Sequence, residues 1–296
     1  MGHCVQLHLS KMTEDLLKLR KIISKTFRKA KRWYSAYLLF QFAVLIFAVI
    51  SIFAELNPNL SAVIAFLAVL ATETVRWRSD CWKSEGEAAL RKWEMADGLG
   101  VAVDRTYIAD WLAAKPKGFL ADVIDTDVQG SEFDSGQTRG PLRVVKNTQE
   151  SAWWSKHLSN RMVVYLSVIL LLIIVAAFIA LTLCIASLKN ASAQPSITVV
   201  QNVGGILCSV LIFVFSINIV RLLMEFWTFA AEAKEILNRC AGLLGRSELA
   251  ERDALSVLHD YQTARSSAPL LPTFVWKFHC NHLREQWADF RQEPGS

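Results

Sequence analysis

Two uncharged apolar stretches constrain this chain more than any other feature. Ala36 to Phe53 (AYLLFQFAVLIFAVISIF) and Met162 to Leu188 contain no Asp, Glu, Lys or Arg. About 20 helical residues cover the roughly 30 Å of a bilayer's hydrocarbon layer, so either stretch suffices to cross it. Ile197 to Val220 is a further uncharged run, more polar within. A fourth, from Pro58, stays apolar only to Ala71 and reaches spanning length only by continuing to Val75 or Trp77. The turn Asn57-Pro58-Asn59 favours a hairpin between it and the run before. With 53% hydrophobic residues, the chain is too apolar for most soluble domains of its size. The expected fold is an all-α membrane protein with four transmembrane helices in two hairpins and cytosolic helical regions.

The expected division is a basic amphipathic cytosolic helix over 1–33, transmembrane hairpins over 34–77 and 161–223, a cytosolic helical middle region with a linker over 78–160, and a cytosolic helical tail over 224–296. Residues 1–35 hold nine Lys or Arg against Glu14 and Asp15, which keeps this segment in the cytosol. The outer connections carry almost no charge, only Glu55 and Lys189. Both termini and the middle region therefore face inward. The middle region and the tail are close to neutral, so the net charge of +5 comes from the N-terminal segment. That favours anionic lipid headgroups as its partner, not nucleic acid. A cleaved signal peptide is not expected, because a long polar and basic stretch precedes the first run. The six cysteines show no paired spacing and are expected as reduced thiols.

Helical spacing recurs in the polar segments. Leu9, Met12, Leu16, Leu19 and Ile23 form an apolar stripe with lysines elsewhere on the wheel, which predicts a helix lying on the inner leaflet and turning into the first span at Trp33 and Tyr34. The second span is expected to continue as a stalk, despite Gly86, until Gly98 to Gly100 stops it. A short helix is expected in VDRTYIADWLAAK, and Lys117 to Val145 reads as a linker. Asn147 to Glu150 resembles a capping box opening the helix that leads into the third span. Ser247 is a candidate cap for a helix through Tyr261. Trp276, Cys280, Leu283, Trp287 and Phe290 form an aromatic seam that needs another helix to cover it.

Catalytic motifs are absent: there is no glycine-rich phosphate loop, nucleophile elbow, HExxH or DNA-binding signature, so neither an enzyme nor a cofactor is expected. Asp125, Asp127 and Gly130 match the start of a calcium loop, but its twelfth position is Gly136 and not a bidentate Glu. His279 and His282 flank Cys280 without a second pair of ligands at zinc spacing. No metal is expected at either place.

The spans carry the pore or gate candidates. Asn202, Ser209 and Ser216 recur every seven residues, with Gly205 on the same side. Seven residues turn a helix by about 700°, so these groups make one small, polar stripe. Such a stripe lines a pore or packs helices closely. Glu73, at the inner end of the second span, is either an interfacial carboxylate paired with Arg76 or part of a cation-attracting ring in an oligomer.

The tail DYQTARSSAPLLPTFVWKFHCNHLREQW, the stalk RKWEMADGLG followed by DRTYIADWL, and the layout of two hairpins around a cytosolic middle resemble the bacterial four-transmembrane effectors of cyclic-oligonucleotide antiphage signalling. The resemblance implies an oligomeric protein of the bacterial inner membrane, triggered by a nucleotide second messenger from a partner nucleotidyltransferase, that permeabilises the bilayer and halts the infected cell. For such a ligand, Arg105, Arg143 and Arg265 are candidates for phosphate contact, and Tyr107, Trp111 and Tyr261 offer stacking surfaces. The rival readings are a membrane-anchored sensor or scaffold recruiting a partner through the aromatic seam, and a small ion channel or transporter.

Overall fold

The computed structural model describes residues 2–53, 58–121, 136–189 and 219–292. The described residues form helices and no strands: α1 (Gly2–Phe53), α2 (Pro58–Leu99), α3 (Arg105–Ala113), α4 (Pro141–Lys189), α5 (Ile219–Leu244), α6 (Glu251–Ser267) and α7 (Thr273–Gln292). The described residues are therefore all-α. The chain divides into two units, one of Met1–Lys31, Ser79–Ser159 and Thr228–Ser296, the other of Arg32–Arg78 and Asn160–Trp227.

The expected turn at Trp33 and Tyr34 does not occur. Residues 3–53 contain neither Gly nor Pro, so nothing interrupts the hydrogen-bond ladder of α1. From Leu16 onward its apolar stripe is also covered by protein. Leu19 and Ile22 are fully buried against Ala89 of α2 and Ile108 and Trp111 of α3. A stripe at three- and four-residue spacing suits a helix partner as well as a lipid surface, and here the partner is α2 with α3.

Helix α2 runs unbroken through the segment expected as a stalk, and Gly86 has a structural reason. A β-carbon at Gly86 would stand 3.0 Å from Thr26 Oγ1 and 3.1 Å from the Phe27 ring, so the missing side chain lets α2 approach α1. The helix stops where Gly100 takes φ 76 and its N–H bonds the Ala96 carbonyl at 3.1 Å. Asp104 then caps α3, its carboxylate accepting from the N–H groups of Thr106 at 2.9 Å and Tyr107 at 3.3 Å.

Two expected helix starts are displaced. The helix assigned to a cap at Asn147 begins at Pro141, which has the fixed φ and missing N–H that suit a first helical position. Asn147 to Glu150 lie inside α4, and the C-terminal part of the expected linker is helical. Ser247 does not cap α6: Ala250 holds the N-cap without a side-chain bond, while Glu251 and Asp253 supply acidic groups to the first turn.

The first unit has a core between α4, α5 and α6. Ala254, Val257, Leu258, Tyr261 and Ala264 make one face of α6, packed on Val144, Val145 and Ala152 of α4 and on Phe229, Ile236, Cys240 and Leu243 of α5. The aromatic seam of α7 is also closed within the chain. Trp287 meets Trp153 at 5.1 Å between centroids and Trp276 meets Trp154 at 5.0 Å, both partners on α4. Trp287 and Leu283 are buried in this packing, while Trp276, Cys280 and Phe290 stay half-buried.

The second unit buries Tyr37, Val75, Met162, Leu166 and Phe226 but leaves many large apolar side chains exposed. Its helices expose Leu39, Phe40 and Ile46 on α1, Phe66 and Leu67 on α2, and Leu172 and Phe178 on α4, with Leu39 70% and Phe178 66% accessible. Among the described residues, one helical stretch, Pro141–Val175, is long and apolar enough to cross a membrane, with a mean hydropathy of 2.2 and 22% burial in its most apolar window. The apolar part of α2 stops short of spanning length, and residues 190–218, which hold nearly all of the uncharged run from Ile197 to Val220, lie outside the described residues.

Candidate functional site

The six expected ligand residues divide between two places in the first unit, and all three arginines already hold carboxylates. Arg105 Nε donates to Asp15 at 2.7 Å at an exposed position. Arg143 grips Asp97 with Nε and Nη2 and donates through Nη1 to the Gln137 carbonyl at 2.7 Å. Arg265 joins α6 to α2 by bonding Glu87 at 3.0 Å and Glu94 at 2.5 Å, and Gln262 adds an amide to Glu94 at 2.8 Å. Burial works against the Arg265 charge, yet Glu94 and Glu87 hold its pKa well above the ordinary guanidinium value. A phosphate at any of these arginines would have to displace a carboxylate.

Arg143, Tyr261 and Arg265 gather around a cavity of about 420 Å³. Tyr261 and Arg265 line it directly, and Asp97, the partner of Arg143, lines it too. Tyr261 donates its hydroxyl to the Ser151 carbonyl at 3.2 Å and shares a bond of 2.9 Å with Ser155 Oγ, while its ring lies 5.2 Å from the Arg265 guanidinium carbon. Burial raises the Tyr261 phenol, opposed by Arg265 and the Ser155 bond. Most of the wall is apolar, with Trp93, Trp154 and Trp276 its largest members.

Two cavity residues escaped the sequence reading. Lys31 of α1 lines the space without an ion-pair partner among the described residues, and burial lowers its pKa. Thr148 of α4 is 2% exposed and its hydroxyl has no hydrogen-bond partner among the described residues. No spacing rule marks either residue, because the cavity assembles from positions more than a hundred residues apart.

Tyr107 and Trp111 stand elsewhere, on α3. Trp111 donates its indole N–H to Glu85 at 3.1 Å and packs edge-on against Phe119 at 5.5 Å. Phe119 stacks on Trp82 at 5.8 Å, and the ammonium groups of Lys29 and Lys115 lie 4.7 and 4.5 Å from the Trp82 ring. Lys92 sits 4.5 Å from the Tyr107 ring, whose phenol is raised by burial and by the Glu85 charge. The result is a basic and aromatic surface of α1, α2 and α3.

Glu73 is exposed on α2, in the second unit. The pair expected with Arg76 is absent among the described residues, and the flanking hydroxyls of Thr72 and Thr74 turn back to the Ala68 and Leu70 carbonyls at 2.7 and 2.8 Å. Asn202, Gly205, Ser209 and Ser216, with the calcium-like Asp125, Asp127 and Gly130, lie outside the described residues. No group of three or more His, Cys, Asp or Glu suited to a metal occurs among the described residues.

No family model matches the chain, and neither a curated protein nor a solved structure matches it.

Proposed function

We propose that the protein is a multi-pass effector of the bacterial inner membrane that oligomerises and permeabilises the bilayer when a nucleotide second messenger reaches its cytosolic helices. The observation that carries this reading is the exposed apolar surface of the second unit, where α1, α2 and α4 present Leu39, Phe66, Leu172 and Phe178 to the surroundings. Soluble monomers rarely expose contiguous apolar patches of this kind, and a bilayer or a second copy removes the cost. In this reading four spans cross the membrane, both termini stay in the cytosol, and the stripe of Asn202, Gly205, Ser209 and Ser216 with Glu73 lines the conducting path.

The basic and aromatic surface supports the trigger. Lys29 and Lys115 stand beside Trp82, with Trp111 and Tyr107 on the neighbouring helix, and a phosphate there would share Lys115 with Glu85, which it bonds at 2.8 Å. A ligand opens a pore only by binding the open arrangement more tightly than the closed one. Helices α1, α2 and α4 each supply residues to both units, so a shift at the cytosolic end has a continuous backbone to follow.

Ion leakage from liposomes carrying the purified protein tests this reading, with a panel of cyclic di- and trinucleotides as triggers. Leakage that one nucleotide switches on, and that Lys115→Ala and Ser209→Leu reduce, is the expected result. A tight bilayer with folded, oriented protein under every nucleotide would sink the proposal.

A further inference from the structure

The cavity lined by Lys31 and Thr148 does not suit a nucleotide. Its two guanidinium neighbours are committed, Arg265 to Glu87 and Glu94 and Arg143 to Asp97. Glu94 and Asp97 are themselves part of the lining, so a ligand with two or more phosphates would bring its charges beside carboxylates. What the space does offer, among the described residues, is one ammonium without an ion pair, one hydroxyl without a hydrogen-bond partner and a wall of apolar side chains.

We propose that this cavity binds a small amphipathic monocarboxylate, with Lys31 taking the carboxylate, Thr148 donating a hydrogen bond, and Trp93, Trp154 and Trp276 enclosing the apolar body. The inference stands apart from the nucleotide trigger. Three observations carry it. At about 420 Å³ the cavity falls within the range of small-molecule sites, and an apolar space of roughly 150 Å³ already holds a benzene-sized guest. Water alone would satisfy Thr148 but leave the indoles and Phe27, Leu90 and Leu158 wetted. A monoanion matches the single unpaired cation, where a neutral guest would leave Lys31 uncompensated.

The burial that lowers the Lys31 pKa is the cost such a ligand relieves. Lys31 is also the last residue of α1 within the first unit, and Leu158 stands two residues before α4 enters the second. The carboxylate can thus come from two sources: an acyl chain delivered by the membrane, or a soluble aromatic acid. Both share a single carboxylate on an apolar body.

Equilibrium binding to the full chain in phosphatidylcholine nanodiscs separates them, with radiolabelled decanoate in one arm and radiolabelled 1-naphthaleneacetate in the other. The expected result is saturable binding of at least one acid at one site per chain, poor competition by decanol and decylamine, and a loss of about tenfold or more in Lys31→Met. Thr148→Val should lose several-fold, and Leu158→Trp should block by filling the space, each with a cooperative thermal transition retained as the control for folding. Decanoate alone identifies the acyl source, and naphthaleneacetate alone the aromatic one. Equal binding of decanol, undiminished binding by folded Lys31→Met, or only unsaturable partition in both arms would each overturn the proposal. Nucleotide leakage that survives Lys31→Met leaves the two readings independent, so the failure of one is not the failure of the other.

Discussion

Arg265 of α6 and Glu94 of α2 meet at 2.5 Å, and Glu87, about two turns earlier on α2, reaches the same guanidinium at 3.0 Å. Two carboxylates, each at most 15% exposed, therefore depend on one cation. Breaking a buried pair by removing one member costs about 3 to 5 kcal/mol, because the other is left charged and uncompensated. Arg265→Met should lose stability on that scale in denaturant unfolding. Adding Glu87→Gln and Glu94→Gln should recover most of it. A single variant as stable as the parent would show the network to be solvated.

Gly86 is expected to tolerate no side chain. Alanine would gain about 1 kcal/mol of helix propensity at an interior position. Against this stand contacts of 3.0 Å to Thr26 Oγ1 and 3.1 Å to the Phe27 ring. Thr26 cannot easily yield, since its hydroxyl bonds the Ile22 and Ile23 carbonyls at 2.8 and 2.9 Å and its side chain is fully buried. Gly86→Ala should lower the unfolding midpoint and Gly86→Val lower it further. Phe27→Leu in the Gly86→Ala background should restore part of the loss, and a Gly86→Ala midpoint above the parent's would contradict the close approach.

Gly86 also shows where the sequence was legible and where it was not. Periodicity located the long helices, because burial of one face every three or four residues leaves its mark on a single segment. It could not say what covered that face. The stripe of Leu16, Leu19 and Ile23 reads the same whether it meets lipid or helices, and it met α2 and α3. Arg265 was legible as a cation near Tyr261, while its carboxylates lie 178 and 171 positions away and leave no local trace. Pro141 directly after Gly140 did carry a helix-start signal, outweighed by the Gly- and Asp-rich residues before it. Lys31 and Thr148 had no signal of any kind, since a cavity is defined by what several helices fail to fill.

Cys240 should resist thiol reagents. It is fully buried between α5 and its neighbours, and burial pushes its thiol up to about 12 even though Arg239 pulls the other way. The thiolate is the reactive form, so at neutral pH almost none is available. Cys81 and Cys280 are partly exposed free thiols. Iodoacetamide followed by peptide mass mapping should label those two in the native protein and reach Cys240 only after denaturation. Native labelling of Cys240 at a comparable rate would mean that the core of α4, α5 and α6 opens.

Lys31 predicts a pH dependence whose sign follows from its burial. Its pKa in the folded protein lies below the ordinary 10.5, which the unfolded chain retains. Between those two values the unfolded state binds more protons, so this residue makes stability rise with pH across that window. Below the folded-state value the full penalty of a partly buried ammonium is present, and above 10.5 it is gone. Lys31→Met should therefore raise the thermal midpoint of the ligand-free protein most at about pH 6 and bring no gain in strongly alkaline buffer. A saturating monocarboxylate should shrink the difference at the lower pH, because it stabilises the parent and not the variant. A residue that only packs would give the opposite pattern, with Lys31→Met no more stable than the parent at any pH and the acid without effect on either.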